Sequence, residues 1–235
     1  MAWITLGGAQ RRLDDEVCSA LVEACERVDA DDAVRVAVLV PAGADFSLGL
    51  PAERPWLPAS WPDPVTAVAA IGKPVIAGLV GRAHGWGASL ALACDLRVAA
   101  SDAVLCFPEA AQGRLPGGGA TQRLTRIVGP TRALELLLLG EPADARRLLE
   151  WGIVGRLVPS RRLRATLAAL ASSLAARGPL ALAFAKEAVT RALDLPLADG
   201  LRLEHDLYVL LQTTDDRREG VAAFLEHRPP RFRGR

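Results

Sequence analysis

PVIAGLVGRAHGWGASLALACDLRVAASDAVLCF, residues 74–107, alternates short apolar runs with one glycine-rich turn. Its first run, residues 74–80, is rich in β-branched side chains and predicts a buried strand. The turn GRAHGWGAS follows and leads into a helix of small residues. Two further strands are predicted at 96–100 and 104–107. Strand, turn, helix and strand in close succession favour an α/β core.

The residues ahead of this stretch continue the alternation of helix and strand. From Leu13 to Val28, apolar side chains recur at helical intervals, which predicts a helix. Residues 33–40, AVRVAVLV, predict a second buried strand because β-branched residues dominate them. A loop rich in proline and glycine follows at 41–64.

The pattern becomes helical from Ala133 onward. Residues 163–178 and 180–194 are rich in alanine and leucine, and Pro179 separates them. We therefore predict an α/β core over residues 1–160 and a C-terminal helical region over 161–235. This region is expected to pack on the core or on a neighbouring subunit.

Composition and charge argue against several classes of protein. The formal net charge is +1, so no overall field draws the chain to nucleic acid or to an anionic membrane. Lys73 and Arg82 interrupt the longest apolar region, which leaves no run near the roughly 20 residues that span a bilayer. The N-terminal residues lack a secretory signal pattern, so a cytoplasmic protein is expected.

The cysteines and histidines do not match a metal or redox motif. No two cysteines form a C-x-x-C pair, and the histidines lack metal-ligand spacing. Buried thiols in a reducing compartment, and no metal site, are therefore expected. The residues concerned are Cys18, Cys25, Cys94, Cys106, His84, His205 and His227.

One basic cluster lies in the C-terminal tail. Its members are Arg228, Arg231, Arg233 and Arg235. A solvated or loosely docked tail is the simpler interpretation, because chain termini are usually little constrained. A contact with a phosphate is the alternative.

Two glycine turns can supply unpaired backbone N–H groups. One is FSLGL, residues 46–50, after a predicted strand, and the other is AHGWGAS, residues 83–89, before a predicted helix. A helix N-terminus presents free N–H groups and partial positive charge, which suits a developing oxyanion. Either turn can also be a plain connection, since a lone Gly-x-Gly is weak as a motif.

A carboxylate and a glycine-rich loop follow the last predicted strand. Glu109 comes after Phe107 and Pro108, where partial desolvation would raise its pKa and suit proton transfer. A surface glutamate at a strand end is the alternative. LPGGGATQRL, residues 115–124, lacks the ending of a phosphate loop, so we interpret it as the start of a helix.

A serine nucleophile is a third candidate chemistry. Ser89, His84 and Asp95 are close in sequence, but the stretch is not Gly-x-Ser-x-Gly. Because a triad is defined by geometry, their proximity in sequence does not establish one. The nucleophile interpretation is therefore disfavoured.

Several motifs, taken together, resemble one family. Residues 71–129 are similar, almost without gaps, to the signature region of the crotonase (enoyl-CoA hydratase/isomerase) superfamily. FSLGL matches that family's Phe-Ser-Ala-Gly-x element, and residues 140–159 and 213–226 resemble its two downstream elements. The resemblance runs from about Ala33 to Phe232.

This resemblance implies a fold and a site. The fold would be a superhelical core of repeated ββα units with a C-terminal helical trimerisation region, in a homotrimer or a hexamer. The substrate would be an acyl-CoA thioester, so that coenzyme A enters with the substrate and no separate cofactor is needed. Its carbonyl oxygen would lie between the N–H groups of Leu50 and Trp86. The other residues carried over to the binding site are Phe46, Ser47, Gly49, Gly85 and Gly87.

The resemblance breaks at one catalytic position. Hydratases of the family use two glutamates twenty positions apart; the second matches Glu109, whereas Ser89 stands at the first. Serine has no useful basicity near neutral pH, so single-glutamate double-bond isomerisation is favoured. The alternatives are a hydratase in which Ser89 holds the water, another reaction such as decarboxylation or acyl hydrolysis, and a non-catalytic CoA-binding protein.

Overall fold

A parallel sheet forms the centre of the molecule. The computed structural model describes residues 1–7, 11–51 and 61–235. The strands of these residues are β1 (Ala2–Leu6), β2 (Ala37–Pro41), β3 (Val75–Leu79), β4 (Arg82–His84), β5 (Leu96–Ala100), β6 (Val104–Cys106), β7 (Ala143–Asp144) and β8 (Arg156–Val158). The larger sheet has the order β1-β2-β3-β5-β8 and is parallel throughout. The smaller sheet has the order β4-β6-β7, and only β6 and β7 are antiparallel.

Helices alternate with these strands and then follow them, which confirms the predicted α/β class. They are α1 (Asp15–Ala30), α2 (Pro64–Ala70), α3 (Trp86–Ala93), α4 (Ala120–Val128), α5 (Pro130–Leu139), α6 (Ala145–Glu150), α7 (Leu163–Ala175), α8 (Pro179–Arg191), α9 (Leu197–Gln212) and α10 (Asp215–Leu225). Asp14 caps α1 by accepting a hydrogen bond from the Val17 amide. Asp63 caps α2 in the same way, and Pro64 begins that helix.

The strands agree with the sequence prediction at their centres and differ at their ends. The strand predicted at 96–100 is β5, and the segments 74–80 and 33–40 contain the shorter β3 and β2. Strand β2 starts late because the Val34 amide donates to the Asp31 carbonyl in a turn. Strand β1 was not predicted, because five residues without a preceding turn carry little signal.

The glycine-rich turn after β3 contains a strand of its own. Gly81 has a φ of +54°, and there the chain leaves the larger sheet and enters β4 of the smaller one. A side chain at Gly81 would collide with the Ala44 carbonyl oxygen, so this sharp turn requires glycine. The turn therefore moves the following residues out of the plane of the larger sheet.

The helical part of the chain begins earlier than the sequence pattern indicated. The prediction places its start at Ala133, whereas α4 already begins at Ala120. The apolar residues of α4, Ala120, Leu124, Ile127 and Val128, do recur at helical intervals. The loop at 115–124 already predicts the start of a helix, so only the position assigned to the onset of the helical part is too late. The two alanine-rich helices are present as α7 and α8, and Pro179 is the first residue of α8, as its fixed φ favours.

Buried side chains form two hydrophobic clusters around the larger sheet. The larger cluster joins the sheet to α1, α2 and α3. The smaller one packs α7 on the other face through Leu163, Leu167, Ala171, Val36, Val38, Ile76, Val98 and Ala100. All four cysteines are buried, as predicted. Helix α7 therefore belongs to the packing of the core, although the predicted boundary at 160/161 assigns it to the C-terminal region; that boundary stays a prediction.

The helices after α7 are more loosely covered. In α8, Lys186 Nζ lies 2.8 Å from Asp95 Oδ2 and 3.0 Å from the Lys73 carbonyl oxygen, which ties the helix to the ends of β3 and β5. Large apolar side chains that follow Lys186 in the sequence are exposed: Val189, Leu193, Leu197, Leu201, Tyr208, Val209, Leu210, Val221, Phe224 and Leu225. Across the described ranges, no single helix is long and apolar enough to cross a membrane; one pair bent by 105°, residues 160–175 with 179–191, reaches that length and composition only jointly.

Specific hydrogen bonds hold the basic tail, which is more ordered than the loosely docked tail that we expected. Arg228 makes a two-pronged ion pair with Glu219, at 2.6 and 2.9 Å. The buried Asp216 carboxylate accepts hydrogen bonds from the amides of Arg233 and Gly234. Arg35 donates to the Phe232 carbonyl at 2.6 Å. The tail is thus fastened to α10 and to the segment before β2.

Candidate active site

The FSLGL segment runs beside β4. The Phe46 amide donates to the Val80 carbonyl, and the Ser47 amide donates to the Arg82 carbonyl. In return, the His84 amide donates to the Ser47 carbonyl at 2.9 Å. This short parallel pairing brings the end of FSLGL to the turn that precedes α3.

Glycine allows the two turns to approach closely. A Cβ atom on Gly49 would lie 2.7 Å from the His84 carbonyl oxygen and 3.5 Å from the Trp86 nitrogen. A Cβ atom on Gly87 would lie 2.6 Å from Ser47 Cβ. Real Cβ atoms essentially never make contacts below 3.0 Å, so both positions need glycine. The predicted binding residues of the two motifs therefore meet through their backbones.

The peptide planes in both turns are oriented by hydrogen bonds. The Gly49 carbonyl accepts from the Leu13 amide, and the Gly85 carbonyl accepts from the Ser89 amide, each at 2.9 Å. In a trans peptide the next N–H points the opposite way, so the N–H groups of Leu50 and Trp86 face away from these partners. Neither N–H finds an acceptor in the ranges 1–7, 11–51 and 61–235. Trp86 is also the first residue of α3, where the helix dipole adds positive charge.

Glu109 is the acidic group of this site. It is only 6% exposed, and its carboxylate lies against Gly85, where an added Cβ would collide with Oε1. Within the described chain, no group donates a hydrogen bond to Oε2. Burial raises the pKa of Glu109 above its ordinary value, although Arg114 acts in the opposite direction. A raised pKa makes the carboxylate a better base. The carboxylate contacts Gly85, the residue before Trp86, so it is placed for proton transfer beside a carbonyl bound at the Trp86 N–H.

Ser89 is fully buried in the first turn of α3. Its Oγ donates to the Gly117 carbonyl at 2.8 Å and lies 3.3 Å from the Gly85 carbonyl oxygen. Because a hydroxyl has one proton, the shorter contact to Gly117 uses it. Ser89 therefore links the turn at Gly85 to the loop at Gly117, and its proton is not available to a ligand in this arrangement.

The Trp86 side chain lies on that glycine loop. A Cβ on Gly117 would be 2.6 Å from the indole Nε1, and a Cβ on Gly118 would be 3.1 Å from Cε3. The loop leads into α4 at Ala120, which confirms its interpretation as the start of a helix. The Trp61 ring stands perpendicular to the Trp86 ring, with centroids 5.2 Å apart.

Three predicted residues have roles other than ligand contact. Phe46 is 1% exposed and packs in the larger hydrophobic cluster, so it anchors FSLGL to the core. Ser47 Oγ accepts from the Gly49 amide at 3.2 Å and stabilises the turn. Asp95 accepts from the Val75 amide and Lys186, and this engagement separates it from a triad with Ser89 and His84.

A buried ion cluster that the sequence reasoning missed supports the start of FSLGL. Asp45 is 7% exposed and accepts hydrogen bonds from the Arg82 backbone and side chain and from Arg11. The Arg82 side chain, ahead of the other causes, holds the pKa of the Asp45 carboxyl well below its usual range. Arg12 donates to the Leu50 carbonyl at 2.8 Å. The available sequence signal was an acidic residue placed directly between a glycine-alanine pair and a core phenylalanine.

Side chains that ligate metals do not cluster in the part of the chain that the structure describes. Those residues contain no group of three or more His, Cys, Asp and Glu side chains that could hold a metal ion. The lining of the candidate site is instead made of backbone amides, one carboxylate and two indoles. Such a lining suits a neutral carbonyl compound that becomes negatively charged at oxygen during the reaction.

Comparisons with known proteins identify the family of the chain. Residues 4–235 match the profile of the family described as enoyl-CoA hydratase/isomerase. The chain is 37% identical to the 2,3-dehydroadipyl-CoA hydratase of Escherichia coli K12, over 97% of this chain and 92% of that protein. It is 34% identical to the (E)-benzylidenesuccinyl-CoA hydratase of Thauera aromatica, over 100% and 96%.

Solved structures give the same result for the fold. The chain superposes on an enoyl-CoA hydratase from Bacillus anthracis with a TM-score of 0.92 and 31% identity, covering 99% of this chain and 95% of that one. A structure from Geobacillus kaustophilus HTA426, described as an enoyl-CoA hydratase subunit, gives a TM-score of 0.91 and 39% identity, covering 99% and 94%. The match covers both the core and the C-terminal helices.

The Asp45 cluster predicts an acid-dependent loss of stability. The Asp45 pKa is depressed in the folded chain, so its contribution is complete above the unfolded pKa of about 3.9 and is lost as pH falls further. Asp45→Asn should lower the free energy of unfolding by about 1–2 kcal/mol at pH 7, because the arginines are half exposed. Urea unfolding of both proteins between pH 7 and pH 3 measures the difference, which should shrink below pH 4.

A matched control is available at the surface. Asp194 pairs with Arg126, and its side chain is 66% exposed. Asp194→Asn should change the unfolding free energy by less than about 0.5 kcal/mol at any pH. A difference between wild type and Asp45→Asn that stays constant with pH would contradict the role assigned to the Asp45 charge.

Proposed function

The chain belongs to the enoyl-CoA hydratase/isomerase family, and from this we propose that it moves the double bond of an enoyl-CoA thioester with Glu109 as its single acid–base group. The observation that carries the proposal is the Glu109 carboxylate, which is buried against Gly85 and has one oxygen without a hydrogen-bond partner among the described residues. The two adjoining glycine turns supply the other requirement, one backbone N–H group each, without acceptors among the described residues.

The N–H groups of Leu50 and Trp86 would hold the thioester carbonyl oxygen. As a proton leaves C2, negative charge moves to this oxygen, and fixed donors stabilise the charge without having to reorganise. The helix dipole of α3 adds to the effect at Trp86. Loss of one such donor typically costs about 10²–10³-fold in rate, so we expect both amides to be needed.

Glu109 would carry the proton between two carbons. In a 3-enoyl-CoA, the carboxylate takes a proton from C2, and the C–H electron pair enters a dienolate whose charge rests on the thioester oxygen. The same carboxyl group then returns the proton to C4, the carbonyl re-forms, and the double bond lies between C2 and C3. No water and no redox partner enter the balance. A single carboxyl group with a raised pKa meets both requirements, base first and acid second.

Replacement of Glu109 tests this mechanism. Glu109→Gln keeps the size of the side chain and removes its basicity, so kcat for 3-enoyl-CoA isomerisation should fall by about 10²–10⁴-fold. The rate is followed by the absorbance of the conjugated 2-enoyl thioester. In wild type, kcat/KM should rise with pH through a pKa above the ordinary glutamate value of 4.5, because burial raises that pKa.

The exposed Glu150 provides the control. Glu150→Gln should leave the rate and its pH profile unchanged. An unchanged rate in Glu109→Gln would exclude this mechanism. Binding of enoyl-CoA without turnover by the wild type would favour the non-catalytic alternative instead.

Hydration is the second candidate, and the names of the relatives favour it. Both curated relatives are called hydratases. In that case Ser89 would orient the water that adds to C3, yet its Oγ already donates to Gly117 and the residue is fully buried. The arrangement therefore supports isomerisation better than hydration.

Ser89→Ala separates the two functions. If the chain is an isomerase, the variant should keep isomerisation within about tenfold of wild type, since only the hydrogen bond from Ser89 to the Gly117 loop is lost. If the chain is a hydratase, 2-enoyl-CoA should lose its conjugated absorbance rapidly with wild type and slowly with the variant. Rapid hydration by wild type, together with its loss in Ser89→Ala, would replace our assignment.

Self-association is a further part of the proposal. The exposed apolar side chains of α8 to α10, including Val189, Leu197 and Phe224, would be covered by copies of the chain in a homotrimer or a hexamer. Sedimentation equilibrium should then give three or six times the chain mass of 24.9 kDa. A monomer mass at micromolar concentration would contradict this. A cytoplasmic location stays a prediction.

A further inference from the structure

Trp86 contributes two different groups to the candidate site. Its backbone N–H is one of the two donors proposed for the thioester carbonyl. Its indole is partly buried against the larger hydrophobic cluster, as are Leu50 and Trp61. One residue therefore places a bulky ring directly beside the position of the bound carbonyl.

The surroundings of the indole restrict its movement. The Gly117 and Gly118 backbones lie so close to the ring that a Cβ on either would be 2.6 or 3.1 Å from an indole atom. The Trp61 ring closes against it edge-on, at 5.2 Å between centroids. Trp61 is itself held by a hydrogen bond of 2.9 Å from its Nε1 to Asp15 Oδ1. The indole is thus braced by a backbone loop and by an anchored ring.

Ser89 closes the space beneath the ring. A Cβ on Gly118 would be 2.9 Å from Ser89 Cβ and 3.1 Å from Trp86 Cε3, so the small side chain and the indole meet at the same glycine. The hydrogen bond from Ser89 Oγ to Gly117 fixes the loop at that point. A larger residue at position 89 would compete with the loop and with the ring for this volume.

We propose that the Trp86 indole, braced by Trp61 and by the Gly117–Gly118 backbone, closes the acyl end of the site and restricts the substrate to short, unbranched acyl-CoA thioesters. The inference rests on the proposed function, because it places the carbonyl at the Trp86 N–H. A short acyl chain fits between that carbonyl and the ring. A longer chain meets the indole, and the ring has to leave its contacts with the loop and with Trp61 before the chain can pass.

Binding of saturated acyl-CoAs tests the inference without any turnover. Butanoyl-, octanoyl- and dodecanoyl-CoA are titrated calorimetrically into wild type, Trp86→Ala and Trp86→Phe. We expect wild type to bind dodecanoyl-CoA about tenfold or more weakly than butanoyl-CoA, in line with the usual cost of overfilling a packed site. Trp86→Ala should bind dodecanoyl-CoA at least as tightly as butanoyl-CoA. The ratio of the two affinities in Trp86→Phe should lie between those of wild type and Trp86→Ala.

Trp151 provides the matched control. This ring is stacked with Arg132 and Arg147 and makes no contact with the glycine loop, so Trp151→Ala should keep the chain-length profile of wild type. If the alanine variant at position 86 does not fold, as judged by circular dichroism, the phenylalanine variant alone decides the outcome through its intermediate profile.

The outcomes separate this inference from the proposed function. Equal binding of all three lengths by wild type, or the same profile in wild type and the folded Trp86 variants, would overturn the inference. A shifted profile in those variants supports it even where Glu109→Gln keeps full isomerase activity, because saturated thioesters report on the acyl pocket alone. Absence of binding at every length would overturn both.

Discussion

The close approach of two glycine turns is the constraint on which the rest of the site depends. Gly49 lies against the His84 carbonyl, and Gly87 lies against Ser47, at distances that no other residue could occupy. Hydrogen bonds between FSLGL and β4 hold this contact, and the ion cluster at Asp45 supports its beginning. Because the turns are pressed together, two peptide N–H groups from distant parts of the chain become available to one ligand atom. Catalysis in this site therefore begins with backbone packing.

The second element is a carboxylate in a place that disfavours its charge. Glu109 follows β6 into the interior beside Gly85, where burial raises its pKa. No group in the part of the chain that the structure describes donates to its Oε2. A buried carboxylate without a partner lowers the stability of the fold. Such groups are concentrated at sites where a ligand or a reaction uses them. The helix dipole at Trp86 stabilises negative charge on a ligand. Glu109, whose pKa is raised, accepts a proton more readily than an ordinary carboxylate does. In the proposed mechanism, the Glu109 carboxylate, which lies against Gly85, and the N–H of the next residue, Trp86, would share the work of enolate formation.

Ser89 and the Trp86 indole both act on the Gly117–Gly118 loop beside the candidate site. Ser89 uses its proton on the Gly117 carbonyl, so the residue positions a loop. The loop in turn supports the Trp86 ring, and Trp61 completes the enclosure. The proposed reaction and the proposed limit on the acyl chain are therefore physically linked, because both depend on the same glycine loop.

Local sequence was sufficient for the features that depend on local chemistry. The apolar run at 96–100 is a strand, and Pro179 begins a helix. The sequence left open whether Glu109 is buried or lies at the surface, and only its packing against Gly85 places it in the interior. The pairing of Gly49 with the Trp86 turn, the bond from Ser89 to Gly117 and the ion pair of Asp45 with Arg82 join residues 28 to 37 positions apart. Short-range periodicity holds no information about such contacts. Strand β1 and the inward turn of Phe46 were likewise decided by packing against β2 and the core, since side-chain burial is a property of the assembled fold.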